Sequence, residues 1–150
     1  MDKIEQLYVK RHNMKYWLCV TNEENWQIIK EKRIWGVPER RKAIIDQVKP
    51  GDLLVFYVKP KRIGGIFEAT SESFLSETEI FKGGLFPHRI KLKAIFIPKE
   101  PKSFEPLIRK LTFIKNKKFW TISLRRAVLE ISKDDYEVIR KEVTNDANIH

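Results

Sequence analysis

Four short runs of aromatic and β-branched residues, each bounded by turn or helix-start residues, set the narrowest limit on what this chain can fold into. They are Tyr16 to Thr21, Leu53 to Val58, Ile63 to Ser71 and Phe86 to Ile97. Runs of this length and composition are strands. The last alternates, placing Ile90, Leu92, Ala94 and Phe96 on one face. The second and third are joined by Lys59-Pro60-Lys61-Arg62, a basic hairpin-like connection. Lys49-Pro50-Gly51-Asp52 is a turn signal ahead of them.

Helices fill the spaces between. Thr21 and Glu24 have capping-box spacing, which predicts a helix from Asn22 to about Lys32 that buries Trp26 and Ile29. Ile34-Trp35-Gly36-Val37-Pro38 is a short extended piece closed by proline. A second, basic helix is expected over 39–48, with Ile44, Ile45 and Val48 inward. Phe104 to Arg109 reads as a short helix, and Ile122 to Glu130 and Lys133 to Val143 as closing helices. The expected fold class is α+β, a small, strongly bent sheet or barrel with flanking helices. The domain is expected over 14–143, between an N-terminal extension at 1–13 and a polar tail at 144–150.

Charge narrows the partner. Thirty Lys and Arg against 20 Asp and Glu leave a net +10, which favours a polyanion; a Lys- and Glu-rich solubilising surface has the same signature. The single cysteine, Cys19, lies in an apolar run and is expected to be a buried, inert thiol. His12, His88 and His150 are scattered, so no metal site is expected. Without an apolar stretch of about 20 residues, no membrane partner is expected, and the expected compartment is the cytoplasm.

Catalytic chemistry finds little purchase. No Ser, Cys or Thr sits in a nucleophile elbow, and Gly64-Gly65 and Gly83-Gly84 lack a phosphate-loop pattern. Asp134-Asp135 stand at a helix start, where they complement its dipole. Neither an enzyme activity nor a cofactor is expected. The four tryptophans say more. Trp17 and Trp26 lie in apolar runs and read as core. Trp35 sits between Lys32-Arg33 and Gly36-Val37-Pro38, a loop-like setting. Trp120 follows Lys115-Asn116-Lys117-Lys118-Phe119, and either stacks a base beside a phosphate track or plugs the end of the sheet. Short basic groups recur at Arg40-Arg41-Lys42, Lys59-Lys61-Arg62, Lys115-Lys117-Lys118 and Arg125-Arg126, in positions that would let them converge on one rim.

Taken in order, Tyr16-Trp17, Thr21-Asn22-Glu23-Glu24-Asn25-Trp26, Trp35-Gly36-Val37-Pro38 and Pro50-Gly51-Asp52 resemble the EVE domains. So do Gly65-Ile66-Phe67-Glu68-Ala69-Thr70-Ser71-Glu72 and Phe113-Ile114-Lys115-Asn116-Lys117-Lys118-Phe119-Trp120. The resemblance covers nearly all of 14–143. It implies a PUA-like bent barrel related to the YTH readers of methylated adenine, with a pocket for an extruded base. By position it implies Trp35 as the first cage wall and Asn22 and Asn25 as readers of the base edge, the alternative for both asparagines being to cap the helix that starts there. The second wall falls nearest Phe81, where YTH domains have tryptophan, with Phe74, Phe86 or Trp120 as alternatives. Lys115, Lys117, Lys118, Arg125 and Arg126 are the expected phosphate contacts.

The function implied is recognition of a flipped methylated base, of N6-methyladenine or 5-methylcytosine type, in DNA or RNA. The setting is either a stand-alone reader or the DNA-recognition module of a modification-dependent restriction system with a GTPase or nuclease partner. The alternative is a general PUA-like RNA-binding domain without modification selectivity.

Overall fold

The computed structural model describes residues 14–145. The expected extension at 1–13 and the tail from 146 onward fall outside the described residues. Eight strands form one curled sheet in the order β2-β6-β4-β3-β1-β8, with β5 on β6 and β7 on β4. The long strands are β1 (Tyr16–Asn22), β3 (Leu53–Lys59), β4 (Arg62–Ala69) and β6 (His88–Phe96). The shorter ones are β2 (Ile34–Val37), β5 (Phe74–Leu75), β7 (Lys102–Ser103) and β8 (Val128–Ile131). Only β1 and β3 pair in parallel. The crossover between them carries α1 (Glu23–Lys32), β2 and the one-turn α2 (Lys42–Ile45). The third helix, α3 (Lys133–Thr144), ends one residue beyond the expected domain limit.

The period-two pattern of the strands divides the interior into two cores. Trp17, Cys19, Leu54, Phe56 and Val58 face one cluster, completed by Trp26, Ile29 and Trp35. Their neighbours Leu18, Val55 and Tyr57 face the other, completed by Phe104, Trp120 and α3. A sheet buried on both faces explains why β1 and β3 read as continuous apolar runs. Cys19 is fully buried, and burial pushes its thiol well above its ordinary pKa.

Three expectations are corrected. Ile122 to Glu130 is not a helix: a 3-10 turn at Trp120–Leu124 gives way to β8, which pairs antiparallel with β1 from Tyr16↔Ile131 to Cys19↔Val128. Backbone pairing along an open strand edge outweighs the local helical pattern. The helix expected over 39–48 is a 3-10 turn at Glu39–Arg41 followed by the four residues of α2, with Ile45 and Val48 buried. The cap of α1 is Asn22, whose Oδ1 accepts from Asn25 N at 2.8 Å, while Thr21 stays in register opposite Val58.

Two local devices hold the first core. Asp52, 3% exposed, accepts at Oδ1 from Lys15 N and at Oδ2 from Trp17 Nε1 and Lys49 N, at 2.9–3.0 Å. The turn before β3 is thereby tied to the indole of β1. Gly64 lies so close to Trp26 that a Cβ there would stand 2.5 Å from its indole carbons. Asp52→Ala should lower unfolding free energy by at least about 2 kcal/mol, because three buried or half-buried donors lose their acceptor. Gly64→Ala should cost about 1–3 kcal/mol through overpacking. Denaturant titration of each variant checks both.

Candidate functional site

Where β1 runs into α1, the chain leaves a cavity of about 210 Å³. Its wall takes residues from β1, α1, β2, the loop before β6, the β3–β4 hairpin and the segment ahead of β8. Three of the lining residues are aromatic: Trp35, Phe81 and Phe86.

Trp35 is fixed from β2, whose backbone pairs with β6 at Trp35↔Ile90. Its indole meets the Phe56 ring edge-on at 5.9 Å and 87°. It is 2% exposed, so it belongs to a strand and the first core rather than to a loop, and it meets space only at the cavity.

The other two rings come from the loop of residues 76–87, and this loop is built around Arg89. The Arg89 side chain is buried, and no carboxylate among the described residues pairs with it. Its Nε donates to Phe86 O, one terminal nitrogen to Ser76 Oγ, and the other to Thr78 O and Leu85 O. Loss of hydration pulls the guanidinium below its ordinary pKa. It also lies 5.2 Å from the centre of the Phe81 ring. Phe81 and Phe86 meet edge-to-face at 5.8 Å. Phe86 has φ 47°, a left-handed conformation that costs a non-glycine residue about 1–3 kcal/mol and persists only where surroundings hold it.

Gly36, next to Trp35, makes the close approach possible. A Cβ at this position would lie 2.5 Å from Phe86 O and 3.1 Å from both Phe81 and Arg89. Asn25 fastens the same loop from α1: its Nδ2 donates to Lys82 O at 3.0 Å, and its Oδ1 accepts from Lys82 N at 2.7 Å. The Asn25 amide is thereby spent on the loop. Asn22 uses only its oxygen, as the α1 cap, so its side-chain NH2 has no protein acceptor among the described residues.

The polar lining has one sign. Arg40, Arg41, Lys59, Arg125 and Arg126 contribute to the wall, and among the described residues no Asp or Glu does. The Nε of Arg41 is buried and has no hydrogen-bond partner, the one such side-chain atom among the described residues. A buried donor left unpaired costs about 1–3 kcal/mol.

Of the residues singled out in the sequence, Trp35, Asn22, Asn25, Phe81, Arg125 and Arg126 come together here, as does the alternative wall Phe86. Trp120 lies elsewhere. It is 8% exposed in the second core, stacked on Phe104 at 5.4 Å, and lines a different hollow with Lys117 and Lys118. Lys117 is largely structural, its Nζ donating to Ile108 O and Leu111 O. Lys115 is exposed and does not line the cavity. Phe74 sits on β5 with Lys91 over its ring, also away from the cavity. Arg40, Arg41 and Lys59 were visible in the sequence only as short basic groups; the crossover and the hairpin bring them to the rim.

The EVE domain pattern matches residues 15–142. A UPF0310 protein of Pyrococcus abyssi is 46% identical, with 84% of this chain and 97% of the relative covered. A second, from Pyrococcus horikoshii, is 42% identical over 85% of this chain and 98% of the relative. Among solved structures, the YTH domain of a Zygosaccharomyces rouxii protein in complex with N6-methyladenosine RNA aligns with TM-score 0.64 and 18% identity, covering 86% of each chain. The Mmi1 YTH domain in complex with RNA aligns with TM-score 0.69 and 13% identity, covering 91% of this chain and 82% of that one. At such identities these neighbours establish the fold, a PUA-like half-barrel with flanking helices. With its curled sheet and a pattern match from end to end of the folded region, the chain belongs to the EVE domain family.

Proposed function

We propose that the cavity holds one nucleobase turned out of a nucleic-acid strand, and that its aromatic walls favour a methylated base over a plain one. The observation that carries this reading is a small aromatic cavity whose charged lining, among the described residues, is cationic throughout. At about 210 Å³ it is smaller than the roughly 300–1,000 Å³ of sites for drug-sized ligands, a size suited to one ring system. The likeness to YTH domains solved with RNA, one of them with N6-methyladenosine RNA, supports the same reading.

The chemistry follows from the lining. A base stacks on the rings by its π-face, and a methyl group adds apolar contact worth roughly 0.8 kcal/mol when buried. The Asn22 NH2 is a donor without a protein acceptor among the described residues, suited to an acceptor atom on the base edge, and Arg41 adds charge to the wall. Lys59, Arg125 and Arg126 supply charge to the phosphates, which adds affinity without reading sequence. Asn25 and Arg89 act one step back, as positioning residues for the loop that bears Phe81 and Phe86.

Matched RNA and DNA oligonucleotides carrying adenine, N6-methyladenine, cytosine or 5-methylcytosine test this by isothermal titration calorimetry. Trp35→Ala should weaken binding of the preferred methylated oligonucleotide about 5- to 150-fold, the equivalent of 1–3 kcal/mol of stacking, and reduce its margin over the plain one. Equal weakening of both would leave a general binding domain without selectivity. Replacing Arg125 and Arg126 together by Gln should reduce the slope of log affinity against log salt by about 1.4 for a single strand. Arg89→Lys removes the planar fork that serves four acceptors. It should speed amide exchange across 76–87 by about tenfold or more and weaken methylated-oligonucleotide binding, with that salt slope unchanged.

A further inference from the structure

A second hollow, of about 360 Å³, adjoins the base cavity. The buried Tyr57 and Leu124, with Pro60, give it an apolar floor, and Lys59, Lys61 and Arg125 surround it. The hairpin that forms one side is held in place: Tyr57 Oη accepts from Lys61 N at 2.9 Å, and Lys61 Nζ lies 5.9 Å from the centre of the Trp120 ring. As in the base cavity, no carboxylate among the described residues contributes to the lining.

Lys59 and Arg125 line both hollows. This shared pair has a direct consequence if the first cavity takes a base. The strand must leave that cavity through its phosphates, and both cations stand at the passage into the second hollow. An apolar floor ringed by cations suits the next nucleotide, whose base face and charged backbone need those two environments together.

Resting on the base-cavity reading, we propose that the second hollow takes the nucleotide next to the extruded one on the same strand, with Lys59 and Arg125 holding the phosphate between them. The recognised element is then a dinucleotide step, and both of its nucleotides are unpaired when bound.

The test uses the 5′- and 3′-monophosphates of N6-methyladenosine and 5-methylcytidine, and the dinucleotides made by adding uridine on either side. One of the two dinucleotide isomers should bind about 5- to 150-fold more tightly than the monophosphate carrying the same phosphate, from one further stacked base. Thr121, an exposed residue that lines the second hollow and not the first, offers the selective variant. Thr121→Trp should abolish the dinucleotide gain and leave monophosphate binding unchanged, which also shows that the variant is folded. Dinucleotides that bind no more tightly than monophosphates, or a gain that survives Thr121→Trp, would overturn the second site while leaving the base cavity intact. Failure of every monophosphate and dinucleotide to bind would overturn the base-cavity reading and this inference with it.

Discussion

A buried guanidinium held by one loop's oxygens gives the cavity its shape. Arg89 reaches out of β6 and gathers Ser76, Thr78, Leu85 and Phe86 around one planar fork, three of them through backbone oxygens. A buried cation is tolerated only when its donors are served, and four of the five Arg89 N–H groups find their acceptors in this loop, so the loop's path and the charge's solvation are coupled. The loop in turn places Phe81 and Phe86 against Gly36, beside the indole of Trp35. Take away the fork and the aromatic wall has little else to fix it on that side, apart from the Asn25–Lys82 pair.

The sheet supplies the opposite wall and the charge. Parallel pairing of β1 with β3 requires a crossover, and the crossover deposits α1, β2 and the Arg40-Arg41 turn along one margin of the cavity. Antiparallel pairing of β8 with β1 brings Arg125 and Arg126 to the same margin from the far end of the chain, and the β3–β4 hairpin adds Lys59. Five cations from three separate stretches meet there with no acid among them. Mutual repulsion of that kind is costly in a free protein and becomes favourable once a polyanion lies between the charges.

Much of the frame is legible because two-sided burial writes itself into β1 and β3 as continuous apolar runs, and Trp17 and Trp26 stand in apolar runs as core. What failed was decided by partners distant in sequence. Val128–Ile131 has a strand's residues in a segment whose neighbours suggest a helix, and only the free edge of β1 decides between them. Trp35 looked loop-like from Gly36 and Pro38, yet Gly36 is there to admit Phe81 and Phe86, and the ring is interior. For the site, Trp35, Asn22, Asn25 and Phe81 are named through the family resemblance and Arg125 and Arg126 through the recurring basic groups, while Trp120 and the Lys115–Lys118 loop lie elsewhere. The division of labour between the two asparagines was not readable, because the Lys82 backbone that occupies Asn25 lies 57 residues away. Arg89 carried no signal at all: an arginine in an alternating strand looks like solvent-facing charge.

Nuclear magnetic resonance offers the most direct measurement of the central claim. In a titration with an oligonucleotide carrying one methylated base, the account predicts that the Trp35 indole N–H, the Asn22 side-chain NH2 and the Arg41 Nε–H shift together and saturate at one equivalent. Shifts confined to residues 115–118, with those three signals unmoved, would contradict it.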